Sequence, residues 1–326
     1  MTLDSPFVLV DLDRAPRSGL GLGTAGVSGR VLVGVAEKPV EADGDPDFDI
    51  LLTDFDILLT ADPDPPRPWV SCADPYATAR RLAEIVSERP AASVALTQVL
   101  RMGPALAPAD RLVVESLAYS TLQGAAGFRA WLDSAPARTP RPSPAPVRLS
   151  RDGDRLAITL DRPQARNAMD AGTRDALCEA LEVVVLDPSI TRVDLYGSGP
   201  AFCAGGDLSE FGTARDPAQA HLVRVQRSPA ALLQRCGERV IAHLHGACVG
   251  AGIELTAFAG RVVAAPDTVI RLPEVGMGLI PGAGGTASLP LRVGRERTAY
   301  LALSGVALGA GEALRWGLVD EVVEGE

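Results

Sequence analysis

The stretch "GACVGAGIELTAFAG", residues 246–260, decides the fold of this chain. It holds a single carboxylate, Glu254, inside a glycine-rich and otherwise apolar run. A carboxylate left uncompensated in such surroundings either destabilises the fold by several kcal/mol or takes up a proton. Some other part of the chain must face it.

Working outward, "RVIAHLHG" (239–246) reads as a strand and "GAGIELTAFAG" (250–260) as a helix, with glycines in the turn between them. The same strand, glycine turn and helix order is read at "FCAGGD" (202–207) and at "LIPGAGGT" (279–286). Turns of this kind aim unpaired backbone N–H groups, reinforced by the positive end of a helix, at one point, and so make anion or oxyanion sites. "GAGGT" has no lysine of the kind a phosphate-binding loop needs, which argues against nucleoside triphosphates.

The neighbouring segments keep the rhythm. "VRLSRDGDRLAITLDRP" (147–163) reads as a hairpin around a DGD turn, and "DAGTRDALCEALEVVVLD" (170–187) as a helix capped by Asp170. "RVDLYGSG", "RVVAA" and "TVIRL" are further strands, whereas "GGDLSEFG" (205–212) and the long run 282–305 read as helical. This alternation predicts an α/β domain with a largely parallel sheet.

Upstream lies "SAPARTPRPSPAP" (134–146), whose five prolines hold neither a helix nor a central strand. It reads as a linker, able to reach roughly 40 Å if extended at ~3.1 Å per residue. Residues 75–133 look helical, beginning at Asp74 as N-cap with Pro75 in the first turn and stopping first at Pro90. Residues 7–70 hold short β-like runs, among them the tandem heptad "DFDILLTDFDILLT" (47–60), read as a local duplication that adds or lengthens one strand.

Composition sets the outer bounds. A chain of 326 residues with 47% apolar content can bury a large core, and a net charge of −10 argues against a nucleic-acid surface. No basic leader-like start and no uncharged apolar run of membrane-spanning length is seen, so a cytoplasmic protein with no membrane partner is expected. Five widely spaced cysteines and few histidines predict reduced thiols and no metal site.

Together the motifs "LDRPQARNAM" (160–169), "GPAFCAGGDLSEF" (199–211), "HGACVGAGIELTAFAG" (245–260), "PEVGMGLIPGAGGT" (273–286) and "GEALRWGLVDEVV" (311–323) resemble the crotonase superfamily of enoyl-CoA hydratases and isomerases, in order and in spacing, over residues 147–326. The resemblance implies a crotonase-like (ββα) spiral core. It puts the thioester oxyanion hole on the N–H groups of Gly206 and Ala251, and the acid/base pair on Glu254, as holder of the attacking water, and Glu274, as proton donor to the α carbon. It further implies substrate or CoA contacts at Ala165, Arg166, Ala168, Ala204, Gly205, Asp207, Leu208, Gly250, Pro273 and Gly282, with Arg166 meeting a CoA phosphate. Coenzyme A enters as part of the substrate, with no separate cofactor, and a homo-oligomer, a trimer or a multiple of three, is expected. His243 and His245 receive no role. Retention of two glutamates favours hydration over isomerisation; other superfamily chemistries, such as thioester hydrolysis, decarboxylation or cofactor-free oxygenation, stay open, with a non-catalytic scaffold as the contrasting reading.

Two departures stand out. The middle glycine of the second turn is Ala251, which keeps the N–H and adds a methyl. Members of the superfamily also carry, after the equivalent of "GLVDEVV", helices that close the acyl-CoA pocket, and residues 75–133 look like that segment moved to the front. The expectation is a degenerate or permuted crotonase-like segment, residues 1–133, that supplies lid helices to the catalytic core.

Overall fold

The computed structural model describes residues 5–14, 29–40 and 52–323. Four short parallel strands come first: β1 (Phe7–Asp11), β2 (Val31–Ala36), β3 (Ile57–Thr60) and β4 (Val70–Ser71), in that spatial order. β2 and β3 are buried throughout, as the β-branched and leucine-rich runs "VLVGVA" and "ILLT" require of strands covered on both faces. One face packs into the main core, and the other covers a small cluster of Leu12, Leu32, Phe55, Leu58 and Trp69. The second copy of the tandem heptad supplies β3, while residues 47–51 of the first copy lie outside the described residues.

Four helices follow: α1 (Pro75–Glu88), α2 (Pro90–Met102), α3 (Pro108–Gln123) and α4 (Ala126–Ser134). Asp74 caps α1 by accepting from Ala77 N, as expected, and Pro90 both ends the first helical run and opens the second. Buried Asp56, just ahead of β3, is neutralised by a two-pronged pair with Arg101 of α2, 2.8 Å to Nε and 2.5 Å to Nη2. Residues 135–146 carry no regular structure, in keeping with their prolines, and are anchored where Arg162 Nη2 donates to the Arg141 carbonyl at 2.7 Å.

Beyond them β5 (Val147–Asp152) and β6 (Arg155–Leu160) form the predicted antiparallel hairpin, then come α5 (Ala171–Leu186), β7 (Arg192–Gly197), α6 (Pro217–Gln226) and α7 (Pro229–Cys236). β8 (Val240–Leu244), β9 (Ala247–Val249), α8 (Ala251–Thr256), β10 (Arg261–Ala264) and β11 (Val269–Arg271) are next. α9 (Gly285–Val293), α10 (Arg295–Ser304), β12 (Leu308–Gly309), α11 (Ala310–Trp316) and β13 (Glu321–Val322) complete the described order. The main sheet runs β13-β10-β8-β7-β6-β5, parallel except at β5, and a smaller sheet runs β12-β11-β9. Leu156, Ile158 and Leu160 alternate inward along β6, and Leu177, Leu181 and Val184 of α5 belong to the same core.

One expectation fails here. Residues 205–212 turn rather than coil into a helix, because Gly205 and Gly212 take φ of +92° and +79° and Asp207 Oδ1 binds Ser209 N, fixing a turn. The run 282–305 is two helices, α9 and α10, broken at Gly294.

The N-terminal segment and the core share one continuous apolar cluster, from Val33 and Leu59 through Leu96 and Phe128 to Ile158 and Leu272. Arginines also tie them: Arg67 donates to the Trp316 carbonyl at 2.9 Å, and Arg297 to the Trp69 and Pro65 carbonyls, both at 3.0 Å.

Candidate active site

Two loops meet at Gly205 and Gly250. A methyl built on Gly250 would lie 3.6 Å from the Gly205 Cα, so the first glycine turn leans directly on the second. Gly250 holds φ +49° as it leads into α8, which leaves Ala251 as the first helical residue, a position whose N–H has no partner within the helix. Across the contact, Met169 N donates to the Gly205 carbonyl at 2.7 Å and Asp207 N to the Met169 carbonyl at 3.0 Å. The Gly206 N–H, between them, is left out of that ladder. Among the described residues, Gly206 N and Ala251 N, from adjacent loops, thus have no backbone acceptor, and both residues line one cavity of about 720 Å³.

Glu254, one turn into α8, is buried and points at the N-terminus of α9. Its Oε2 accepts from Ala283 N at 2.8 Å and Gly285 N at 3.0 Å. Glu274 opens a short 3₁₀ turn, residues 274–277, after Pro273; its Oε2 is sealed from solvent and has no hydrogen-bond partner among the described residues. A methyl on Gly250 would meet Glu274 Oε1 at 2.5 Å and Glu254 Oε1 at 3.7 Å, so the two carboxyl groups converge on one small space. Only a residue without a side chain fits at 250.

A third carboxylate completes the cluster, and it comes from the N-terminal segment. Glu115 of α3 is buried; its Oε1 accepts from Gly284 N at 2.7 Å, and its Oε2 from Thr286 N at 2.8 Å and Thr286 Oγ1 at 2.6 Å. The four amides of 283–286 therefore alternate between Glu254 and Glu115, the anion-binding use of a helix start. Burial pushes Glu115 up to about 7, opposed by Thr286, Gly284 and the Arg224 charge. Burial pushes Glu274 up to about 8, with the Glu115 charge adding to it. Glu254 is raised by burial first, then by Glu274 and Glu115, while its two amide donors favour the ionised form.

The same segment walls the cavity. Tyr119 of α3 packs flat against Gly282, where an added methyl would sit 2.4 Å from its ring. Phe128 and Trp131 of α4 stack at 5.9 Å between centroids and clasp Phe211, whose ring lies 2.9 Å from where a Gly206 side chain would begin. Within residues 75–133, α3 thus brings Glu115 to the amides that also hold Glu254, and α4 packs on Phe211.

Of the residues named from sequence, Gly206, Asp207, Ala251, Glu254, Glu274 and Gly282 line the cavity. Ala165, Arg166, Ala168, Ala204, Gly205, Leu208, Gly250 and Pro273 do not. Gly205 and Gly250 instead form the loop contact, Ala204 N is bound to the Arg166 carbonyl at 2.9 Å, and Ala168 is buried with its carbonyl held by Arg162. Arg166 is exposed in a left-handed turn beside the site, at φ +51°. The Asp207 carboxylate turns from the cavity towards buried Arg162, 3.0 Å away. His243 pairs with Asp194 at 2.8 Å, and His245 contacts the Gly199 carbonyl at 2.9 Å. The sequence reading missed Glu115, Tyr119 and Arg224. Among the described residues all five cysteines are free, no cluster suits a metal ion, and no helix is long and apolar enough to cross a membrane.

Residues 155–326 match the family model for enoyl-CoA hydratase/isomerase. The chain belongs to the enoyl-CoA hydratase/isomerase family. Its relatives include the 2,3-dehydroadipyl-CoA hydratase of Escherichia coli, 36% identical over 53% of this chain and 68% of the relative. Another is the mevalonyl-coenzyme A hydratase of Beauveria bassiana, 35% identical over 52% of this chain and 63% of that protein, so the match spans less than two thirds of the latter's length. Among solved structures, an enoyl-CoA hydratase from Thermoplasma volcanium is similar at a TM-score of 0.50 and 37% identity, over 55% of this chain and 72% of that one. An enoyl-CoA hydratase/carnitine racemase from Magnetospirillum magneticum gives 0.52 at 30% identity, over 56% and 69% of the two chains. The crotonase-type fold expected from the motifs is thereby established, and a family acting on acyl-CoA thioesters with it.

Proposed function

We propose that this enoyl-CoA hydratase/isomerase family member is a hydratase that adds water across the double bond of a 2-enoyl-CoA, with coenzyme A carried by the substrate. The observation that carries the reading is the convergence of Glu254 and Glu274 over Gly250, with Glu274 Oε2 lacking any partner among the described residues. Such an atom awaits a water or a substrate.

In this reading the thioester oxygen accepts from Gly206 N and Ala251 N. As water oxygen bonds to C3, the C2–C3 π electrons move towards the carbonyl, and the two amides stabilise the enolate by roughly 3–4 kcal/mol per donor. Glu254, whose ionised form the Ala283 N and Gly285 N donors favour against the burial that raises it, is the member of the pair assigned to take a water proton. Glu274, raised to about 8, holds a proton at neutral pH and delivers it to C2, regenerating the carbonyl. The two acids titrate as a unit. An isomerase moves one proton and needs one such group, so two converging acids favour hydration. Exposed Arg166 is assigned to a CoA phosphate, and assembly in threes remains part of the proposed reading.

The test is turnover of crotonyl-CoA by the wild type and by Glu254→Gln and Glu274→Gln. Each variant should lose at least about 10²-fold in kcat while still binding acetoacetyl-CoA. Absence of both turnover and CoA-thioester binding in the wild type would favour a scaffold.

A further inference from the structure

Arg224 is a cation held in the cavity wall without a counter-ion among the described residues. It stands on α6 and lines the same cavity as Glu254 and Glu274, with its guanidinium 4.7 Å over the Tyr119 ring. Its Nε donates to Ser116 Oγ at 3.1 Å, Nη1 to Gln123 Oε1 at 3.0 Å, and Nη2 to the Ser116 carbonyl at 3.3 Å and to Ser120 Oγ. Every one of these partners is neutral. Among the described residues no carboxylate lies within ion-pair distance of it. Glu115, whose charge does reach it, is bound to the α9 amides instead.

Ser116, Ser120 and Gln123 occupy positions i, i+4 and i+7, one face of α3, and all three serve this guanidinium. A half-buried charge held rigidly by neutral groups is unfavourable for folding alone. These neutral partners take four of the five guanidinium N–H groups and hold the cation in place, so a ligand carboxylate that meets its charge and the remaining Nη1 N–H offsets the cost with little further loss of entropy. The Tyr119 ring contacts both the guanidinium and Gly282, and all three line the cavity that holds the acid pair, which suits a short acyl chain ending a few carbons beyond C3.

We propose that the substrate's acyl chain ends in a carboxylate and that Arg224 receives it, so that the chain prefers an enoyl-CoA derived from a short dicarboxylic acid. This deepens the hydratase reading and rests on it. Arg224 is here a specificity-determining residue, remote from the reacting carbons.

The experiment compares 2,3-dehydroadipyl-CoA with 2-hexenoyl-CoA, six-carbon chains with and without the terminal carboxylate, on the full chain. The wild type should favour the acid by about 10- to 100-fold in kcat/KM, and Arg224→Met should erase that preference while Arg224→Lys keeps part of it. A wild type that prefers 2-hexenoyl-CoA, or a ratio unmoved in Arg224→Met, overturns the inference. Arg224 would then only clamp α6 to α3. Should the wild type turn over neither thioester, the hydratase reading falls, and calorimetric Kd values for adipyl-CoA against hexanoyl-CoA still decide the arginine's part. Equal affinities, or no binding of either, reject it. The wild-type ratio needs no variant, so a variant that misfolds does not shield the inference.

Discussion

Glu254 and Glu115 divide the amides of residues 283–286 between them, and this sharing sets what each residue can tolerate. Glu115→Ala leaves two amides and a hydroxyl without a partner in a buried site. The expected loss is about 3 kcal/mol of unfolding free energy, with Glu115→Gln losing less, both read from urea midpoints. The pH dependence has a definite sign. Glu115 and Glu274 have folded-state pKa values of about 7 and about 8, above the ordinary 4.5, so the folded chain retains protons the unfolded chain gives up. Their contribution is whole below about pH 4.5 and is lost as pH rises through about 7 and about 8. The urea midpoint at fixed ionic strength should therefore fall between pH 5.5 and pH 8, and Glu274→Gln should flatten the upper part of the fall. Glu254 and Glu274 were legible in the sequence because the glycines that frame them are their neighbours along the chain. Glu115 was not, since its partners lie 169 and 171 residues away. Its one local signal is its place on the inward stripe Leu112, Glu115, Leu122 of α3, where an acid is out of keeping.

α4 acts on the site through aromatic packing. Phe128 and Trp131 hold Phe211, and Phe211 backs the Gly206 turn. Phe128→Ala should cost about 3–4 kcal/mol of stability and, by loosening that turn, lower kcat more than it raises KM for the enoyl-CoA. An unchanged kcat in a folded variant would show that the turn needs no support from α4. The second turn should be less forgiving still. Gly250→Ala puts a methyl 2.5 Å from Glu274 Oε1 at a φ of +49°, and steady-state assays should find activity down by at least about 10²-fold. Element type was readable wherever periodicity was strong, as in α1 and α5 with their aspartate caps. It failed at 205–212, where the polar run after "AGG" looked like a helix start yet a side-chain turn and a bridge to Met169 won.

Over the whole molecule, the motifs of residues 147–326 gave away the crotonase core, while the front of the chain offered only composition and helical rhythm. Its strands and helices share the core's apolar cluster, so the two parts should unfold together. A protease site built at exposed Arg138 should yield two fragments that remain associated and melt in one transition, whereas separate transitions would mark independent domains. We read the arrangement as a permuted crotonase-like segment lending helices to the catalytic core, and the intimate placement of Glu115, Tyr119 and Phe128 supports it. The most direct test of the central claim is a crystal structure with acetoacetyl-CoA bound to the wild type. The thioester oxygen should lie about 2.7–3.1 Å from both Gly206 N and Ala251 N, with its C2 and C3 flanked by Glu254 and Glu274. A thioester carbonyl pointing elsewhere, or acyl carbons remote from both glutamates, would contradict the account.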